Sequence, residues 1–116
     1  MKHIVVLMVG IFAISFISGC SSGQGKYNSF AQCLTDNGVK MFGTEWCSHC
    51  KNQKKTFGSS FDYVDYIDCD KYKDECLSNG VNGYPTWIIN GSSYPGEQPL
   101  SRLASLSGCE LVKDEV

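Results

Sequence analysis

Apolar residues fall along this 116-residue chain in blocks whose spacing changes from one block to the next. Ile4 to Phe16 is an apolar run behind Lys2 and His3, and the whole segment before Cys20 is short for a bilayer span, so residues 1–19 read as a secretory leader. Residues 20–29 are Gly/Ser-rich, the composition of a flexible tether with a mean reach of roughly 15–20 Å. Phe30, Cys33 and Leu34 then share one face of a short helix, with Ser29 as N-cap and Gly38 as its stop. Val39 to Gly43 reads as a short buried strand and Cys50 to Phe57 as a helix ended by Gly58. Phe61 to Asp68, rich in Tyr, Val and Ile, predicts a second strand of parallel type buried on both faces. Asp70 to Leu77 predicts a short polar helix. Thr86 to Ile89, Asn90-Gly91 and Ser92 to Tyr94 form a strong hairpin signal, because Asn-Gly supplies the positive φ angles of a tight turn. Pro99 opens a last helix whose Leu100, Leu103, Ala104 and Leu106 make one apolar stripe, stopped at Gly108.

Strand, helix, strand gives a parallel pair by a right-handed crossover, and the hairpin adds two antiparallel strands. The expected fold is therefore α/β, a four-stranded mixed sheet with helices on both faces, in a single domain over residues 30–116. The formal net charge is −2, and loss of Lys2 with the leader makes the chain more acidic. That balance excludes nucleic acid as a partner and leaves Lys51, Lys54 and Lys55 as a solvated helix face.

The cysteines change the picture. In Trp46-Cys47-Ser48-His49-Cys50-Lys51 two thiols stand three residues apart, able to form and break a disulfide with each other. The strand-to-helix step puts Cys47 at a helix N-terminus, where unpaired N–H groups favour negative charge. Cys47 is thus expected to be more acidic than a free thiol and to be the sulfur that attacks or is attacked, with Cys50 resolving. An imidazolium at His49 favours the same thiolate and makes the disulfide more oxidising. Zinc would need two further ligands, and no second Cys-x-x-Cys or His pair at ligand spacing follows, so neither a resident metal nor another cofactor is expected. Copper(I), suited to soft thiolates and His49, is the alternative cargo.

Seven cysteines are an odd number for an exported chain. With Cys20, Cys47 and Cys50 set aside, Cys33, Cys69, Cys76 and Cys109 allow three pairings, among which sequence alone does not choose. Cys69 with Cys76 is the local pairing; Cys33 with Cys109 is what it leaves, a closure that could contribute roughly 4–5 kcal/mol. Trp46 and Trp87 are expected to be half-buried, Trp46 shielding the disulfide, and Glu45 to be an exposed loop carboxylate.

Three resemblances add expectations. Ile17-Ser18-Gly19-Cys20 resembles a bacterial lipoprotein cleavage box, which implies a lipidated Cys20, membrane anchoring and an extracytoplasmic location, periplasmic or on the outer face. The Trp-Cys-x-x-Cys-Lys turn, followed by Gly83-Tyr84-Pro85-Thr86-Trp87 entering a hairpin, resembles the thioredoxin fold. This implies a cis Pro85 beside the active disulfide and Tyr84 as the substrate-contacting position. The usual extra N-terminal strand of that family is missing, which implies a minimal, glutaredoxin-sized core.

Met41 to Cys50, with Gln53, Lys54, Phe57, Gly58, Cys69 and Gly83 to Trp87, is similar to the thioredoxin-like domain fused to bacterial vitamin K epoxide reductase homologues. That likeness implies a membrane partner that passes electrons to quinone, and a second cysteine pair after the central strand, in favour of Cys69 with Cys76. The lipid on Cys20 is expected to replace the covalent fusion. Cys-x-His-Cys also resembles the motif of protein disulfide isomerases and periplasmic disulfide oxidases. The implied activity is thiol:disulfide exchange with exported protein thiols and disulfides, as oxidant or isomerase. Copper-delivering thioredoxin-fold lipoproteins instead carry Cys-x-x-x-Cys with a distant His, whereas here the only His after the leader lies inside the motif.

Overall fold

The structure, a computed structural model, describes residues 25–114. The leader at 1–19, Cys20 and the tether up to residue 24 lie outside the described residues. Helix α1 spans Asn28–Asp36, strand β1 Lys40–Gly43, helix α2 Ser48–Phe57, strand β2 Asp65–Asp68 and helix α3 Lys73–Ser78. Strands β3 (Thr86–Ile89) and β4 (Ser92–Pro95) and helix α4 (Leu100–Ser107) complete the order. The sheet runs β2-β1-β3-β4, with β1 parallel to β2 and antiparallel to β3, and β3 antiparallel to β4. This is the α/β arrangement expected from the sequence, a four-stranded mixed sheet with one parallel pair and an antiparallel hairpin.

Because side chains alternate across a strand, β1 and β3 each serve two cores. Met41 lies opposite Trp87 in the register, and with Ile89 both face a core built by Phe30, Ala31 and Leu34 of α1, Cys50 and Phe57 of α2, and Leu103 of α4. Phe42 points the other way, into a smaller core with Ile67, Cys69, Cys76 and Val81, closed by α3. Helices therefore cover both faces of the sheet. The hairpin turn has the expected backbone, Asn90 at φ 51° and Gly91 at φ 78°. Gly108 ends α4 in the left-handed region, its N–H donating to the Ala104 carbonyl at 2.9 Å.

Several expectations are corrected. Tyr27, not Ser29, stands at the N-cap of α1. The Ser29 amide and hydroxyl both donate to the Asp114 carboxylate near the far end of the chain, a partner more than eighty residues away that local pattern cannot reveal. Gly25 is buried and the Tyr27 amide donates to Ser60 Oγ at 2.8 Å, so the packed domain reaches back beyond Phe30. The strand expected over residues 61–68 begins only at Asp65; Gly58–Tyr63 is a 3₁₀ segment. Its Phe61 ring packs against Phe57 and Tyr66, at 5.8 and 5.6 Å between centroids, covering helix rather than extending sheet. Nor is β2 buried on both faces, for it lies at the sheet edge and only Ile67 within it is buried. Helix α3 starts only at Lys73, after a turn in which the Lys71 and Tyr72 amides both donate to the Asp68 carbonyl.

Two disulfides brace the frame. Cys33 joins Cys109 across 76 residues, tying α1 to the segment after α4, and Cys69 joins Cys76 across seven, tying the end of β2 to α3. Loop closure then sets their expected contributions. Replacing Cys33 and Cys109 together by Ser is expected to lower the unfolding free energy by about 4 kcal/mol, and the same change at Cys69 and Cys76 by about 2 kcal/mol. Urea denaturation of both double variants checks this; equal losses would show that sulfur burial, not chain closure, dominates.

Candidate active site

Strand β1 ends at Gly43, and the chain passes through Thr44, Glu45 and Trp46 into α2. Gly43 is required by close approach: a Cβ there would lie 2.8 Å from Cys50 Sγ and 3.2 Å from the Tyr66 ring. Its carbonyl accepts from the Cys69 amide at 2.8 Å, holding the end of β1 to β2 just before the motif.

Cys47 is the N-cap of α2, in extended conformation, and its sulfur accepts the Cys50 N–H at 3.2 Å. This satisfies one of the orphan donors of the helix terminus with a group that gains from negative charge. On its other side, Cys47 Sγ lies 3.6 Å from the Tyr84 carbonyl, to which its thiol donates. The Tyr84–Pro85 peptide is cis and Pro85 is buried. The structure thus brings Cys47, Cys50, Tyr84 and Pro85 to one place.

The two thiols, both free, differ in access. Cys47 retains 7 % of its surface and Cys50 none. Burial pushes the Cys50 thiol up to about 12, with its hydrogen bond to Cys47 adding to the effect, while the Thr44 amide and the Lys54 cation partly offset it. Tyr66, half-buried and facing the charges of Glu45, Asp68 and Cys50, is held as a neutral phenol far above its ordinary range.

The side chains around the cysteines depart from expectation. Trp46 is 66 % exposed rather than half-buried; its indole N–H donates to Asp70 at 2.9 Å and its ring meets Tyr84 edge-on at 6.1 Å. Trp87 is wholly buried, because the inner strand β3 turns it into the larger core and Gln53 satisfies its N–H. Lys54 leaves the expected solvated face: its ammonium pairs with Glu45 at 3.2 Å and sits 4.1 Å over the Tyr66 ring. His49 is exposed, with Nδ1 at 2.8 Å from Glu97 Oε2.

Two further residues complete the site: Glu97, which sequence reasoning did not single out, and Gln53, which entered it only as part of a family likeness and without a role. Glu97 follows the hairpin and carries no motif signal; only the fold sets it beside His49. Gln53 is fully buried, and its Oε1 accepts from Trp87 Nε1 at 3.1 Å and from the Gln98 amide at 2.7 Å, while its Nε2 donates to the Gln98 carbonyl at 3.0 Å. A polar residue at position 53, among positions that otherwise bury apolar side chains on α2, is the trace it leaves in the sequence. Among the described residues no group of three or more His, Cys, Asp and Glu side chains is placed to hold a metal ion.

No family model matches the chain. It is similar to the thiol-disulfide oxidoreductase LTO1 of Arabidopsis thaliana, 37 % identical over 106 residues that cover 83 % of this chain and 28 % of that protein. The chain thus spans little more than a quarter of its relative's length. Among solved structures it is similar to Fasciola hepatica thioredoxin, with a TM-score of 0.45 and 18 % identity over 66 % of this chain and 88 % of that one.

The thiol asymmetry has a direct readout. With the reduced protein at pH 8, iodoacetamide is expected to modify Cys47 and spare Cys50 until the chain unfolds, as peptide mass mapping would show; equal labelling would contradict the burial argument. The pH dependence follows in sign. An unfolded Cys50 ionises near its ordinary 9.0 and the folded one near 12, so between these values the unfolded state releases a proton that the folded state keeps. Stability linked to Cys50 is therefore full below about pH 9 and lost as pH rises toward 12.

Proposed function

We propose that this protein is a thiol:disulfide oxidoreductase that exchanges disulfides with exported proteins through Cys47 and Cys50, held on an extracytoplasmic membrane face by a lipidated Cys20. The observation that carries the reading is the asymmetric pair itself. Cys47 is the more accessible sulfur, at a helix N-terminus and 3.6 Å from the Tyr84 carbonyl beside cis Pro85, while Cys50 is sealed behind it.

In the oxidising direction a substrate thiolate attacks Cys47 Sγ and the Cys47–Cys50 bond breaks. Cys50 departs with the electron pair and takes up a proton, since its buried site favours the neutral thiol. A second substrate thiolate then attacks the substrate sulfur of the mixed disulfide and releases Cys47 as thiolate. Two electrons have passed from the substrate dithiol to the protein. In an isomerase cycle Cys47 attacks a substrate disulfide, and either Cys50 or another substrate thiol resolves the adduct. Tyr84 offers backbone to an extended substrate segment at the point of attack, and the Trp46 and Tyr84 rings flank it.

The Cys-x-His-Cys motif supports an oxidant or isomerase over a strong reductant. Re-oxidation calls for a two-electron acceptor, and a membrane-embedded, quinone-linked reductase of the vitamin K epoxide reductase type is the partner that the sequence likeness favours. A lipid tether of only a few residues would keep the domain within reach of such a partner and raise its effective concentration.

Trapping tests the reading. In cells exporting the full-length chain, Cys50→Ser is expected to accumulate mixed disulfides with other exported proteins, visible as high-mass bands that collapse on reduction. Cys47→Ser is expected to give none, and Cys20→Ala to shift the adducts out of the membrane fraction. Absence of adducts together with retention of copper(I) by the purified protein would overturn exchange in favour of copper carriage.

A further inference from the structure

Glu97 lies outside the motif, yet the geometry ties it to the reacting sulfur by a closed circuit of contacts. Cys47 Sγ touches the Tyr84 carbonyl, the Pro85 carbonyl accepts the Gly96 amide at 2.7 Å, and Glu97 reaches His49 at 2.8 Å, two residues from Cys47 on the first turn of α2. The circuit is held from inside by Gln53, which grips Gln98 through both its amide and its carbonyl. Glu97 is therefore presented to His49 by a segment pinned on both sides, not by a free loop.

The atom that faces Glu97 matters. A carboxylate only accepts hydrogen bonds, so Nδ1 of His49 carries the hydrogen, and in the neutral ring Nε2 is then the bare acceptor. With 68 % of the His49 side chain exposed, the ring remains open to solvent and to an arriving substrate. A carboxylate that fixes the imidazole tautomer from behind is the arrangement by which a histidine serves as base toward a nucleophile in front of it.

We propose that Glu97 is a positioning residue that holds His49 with Nε2 free, and that His49 Nε2 takes the proton of the substrate thiol as it attacks the Cys47–Cys50 disulfide. The inference rests on the exchange reading above. The substrate S–H bond breaks, its proton passes to Nε2, and the resulting imidazolium is balanced by Glu97. The substrate sulfur forms its bond to Cys47 Sγ, and the Cys47–Cys50 bond breaks with its electron pair leaving on Cys50. The oxidant is the protein's own disulfide. His49 thereby serves the arriving thiol in addition to the resident one, a role that its place between the two cysteines did not reveal.

Two probes distinguish this from an ordinary surface ion pair. The oxidised full-length protein is mixed at pH 7 with a dithiol peptide, whose thiols must lose a proton to react, and with thionitrobenzoate, which is already ionised. Glu97→Ala is expected to slow the peptide reaction by about fivefold to tenfold, less than the roughly hundredfold or more of a sequestered base because the ring is exposed. The thionitrobenzoate rate should be unchanged, and Glu97→Asp should restore most of the peptide rate. Ring-nitrogen NMR should show the Nδ1–H tautomer of His49 in the wild type and its loss in Glu97→Ala. Equal slowing of both probes, slowing of neither, or an unchanged tautomer in Glu97→Ala would overturn the proposal. A wild-type protein inert to both probes would instead overturn the exchange reading beneath it.

Discussion

The site depends on one buried amide. Gln53 reaches from α2 into the larger core, and its oxygen accepts from Trp87 on β3 and from Gln98 beyond β4, while its nitrogen returns to Gln98 and to Thr56. A buried amide left unpartnered would cost roughly 1–3 kcal/mol, so this set of bonds admits few alternatives. It fixes α2 against β3 and against the segment that precedes α4. Cys47 and Cys50 ride on the first of these elements, Pro85 leads into the second, and Glu97 belongs to the third. The distance between the sulfur and the cis-proline segment is thus set by an interaction well inside the domain.

A second constraint separates the roles of the two cysteines. Chemically they are the same side chain, and α2 offers both to the same end of the sheet. Gly43 lets Cys50 sink against β1, where no other residue would leave room, and desolvation then keeps that sulfur protonated. Cys47, three residues and nearly one turn earlier, meets the Cys50 N–H and the rim. Which sulfur stays accessible follows from which one the backbone of β1 allows to be buried.

Around that pair, three side chains in or beside the motif are each held by a partner farther along the chain. Trp46 is tied to Asp70 after β2, Glu45 to Lys54 within α2, and His49 to Glu97 after β4. Each such exposed pair contributes little to stability by itself. Their value is in orientation, because they settle the positions of the side chains around the two cysteines. The Cys69–Cys76 disulfide extends the same logic, since it closes the segment that carries Asp70.

Element types, the hairpin turn, the end of α4 and the motif were legible in the sequence because each is decided by neighbours within a few residues: Asn90-Gly91 by its φ angles, Gly108 by its helix, Cys47 by the strand-to-helix step. The second strand was misread because apolar patterning says that Phe61 is buried but not against what; it packs on Phe57 rather than entering the sheet. Trp46 and Lys54 were misplaced for the same reason, their partners Asp70 and Tyr66 lying in later elements. What the sequence determined by itself was the Cys-x-x-Cys pair, its helix terminus and the α/β order around it. What only the tertiary structure decided was which side chains hold the residues around those sulfurs, Glu97 at His49 and Asp70 at Trp46 among them. Hydrogen bonds and ion pairs act over a few ångströms in space, and the chain brings those ångströms together across dozens of residues.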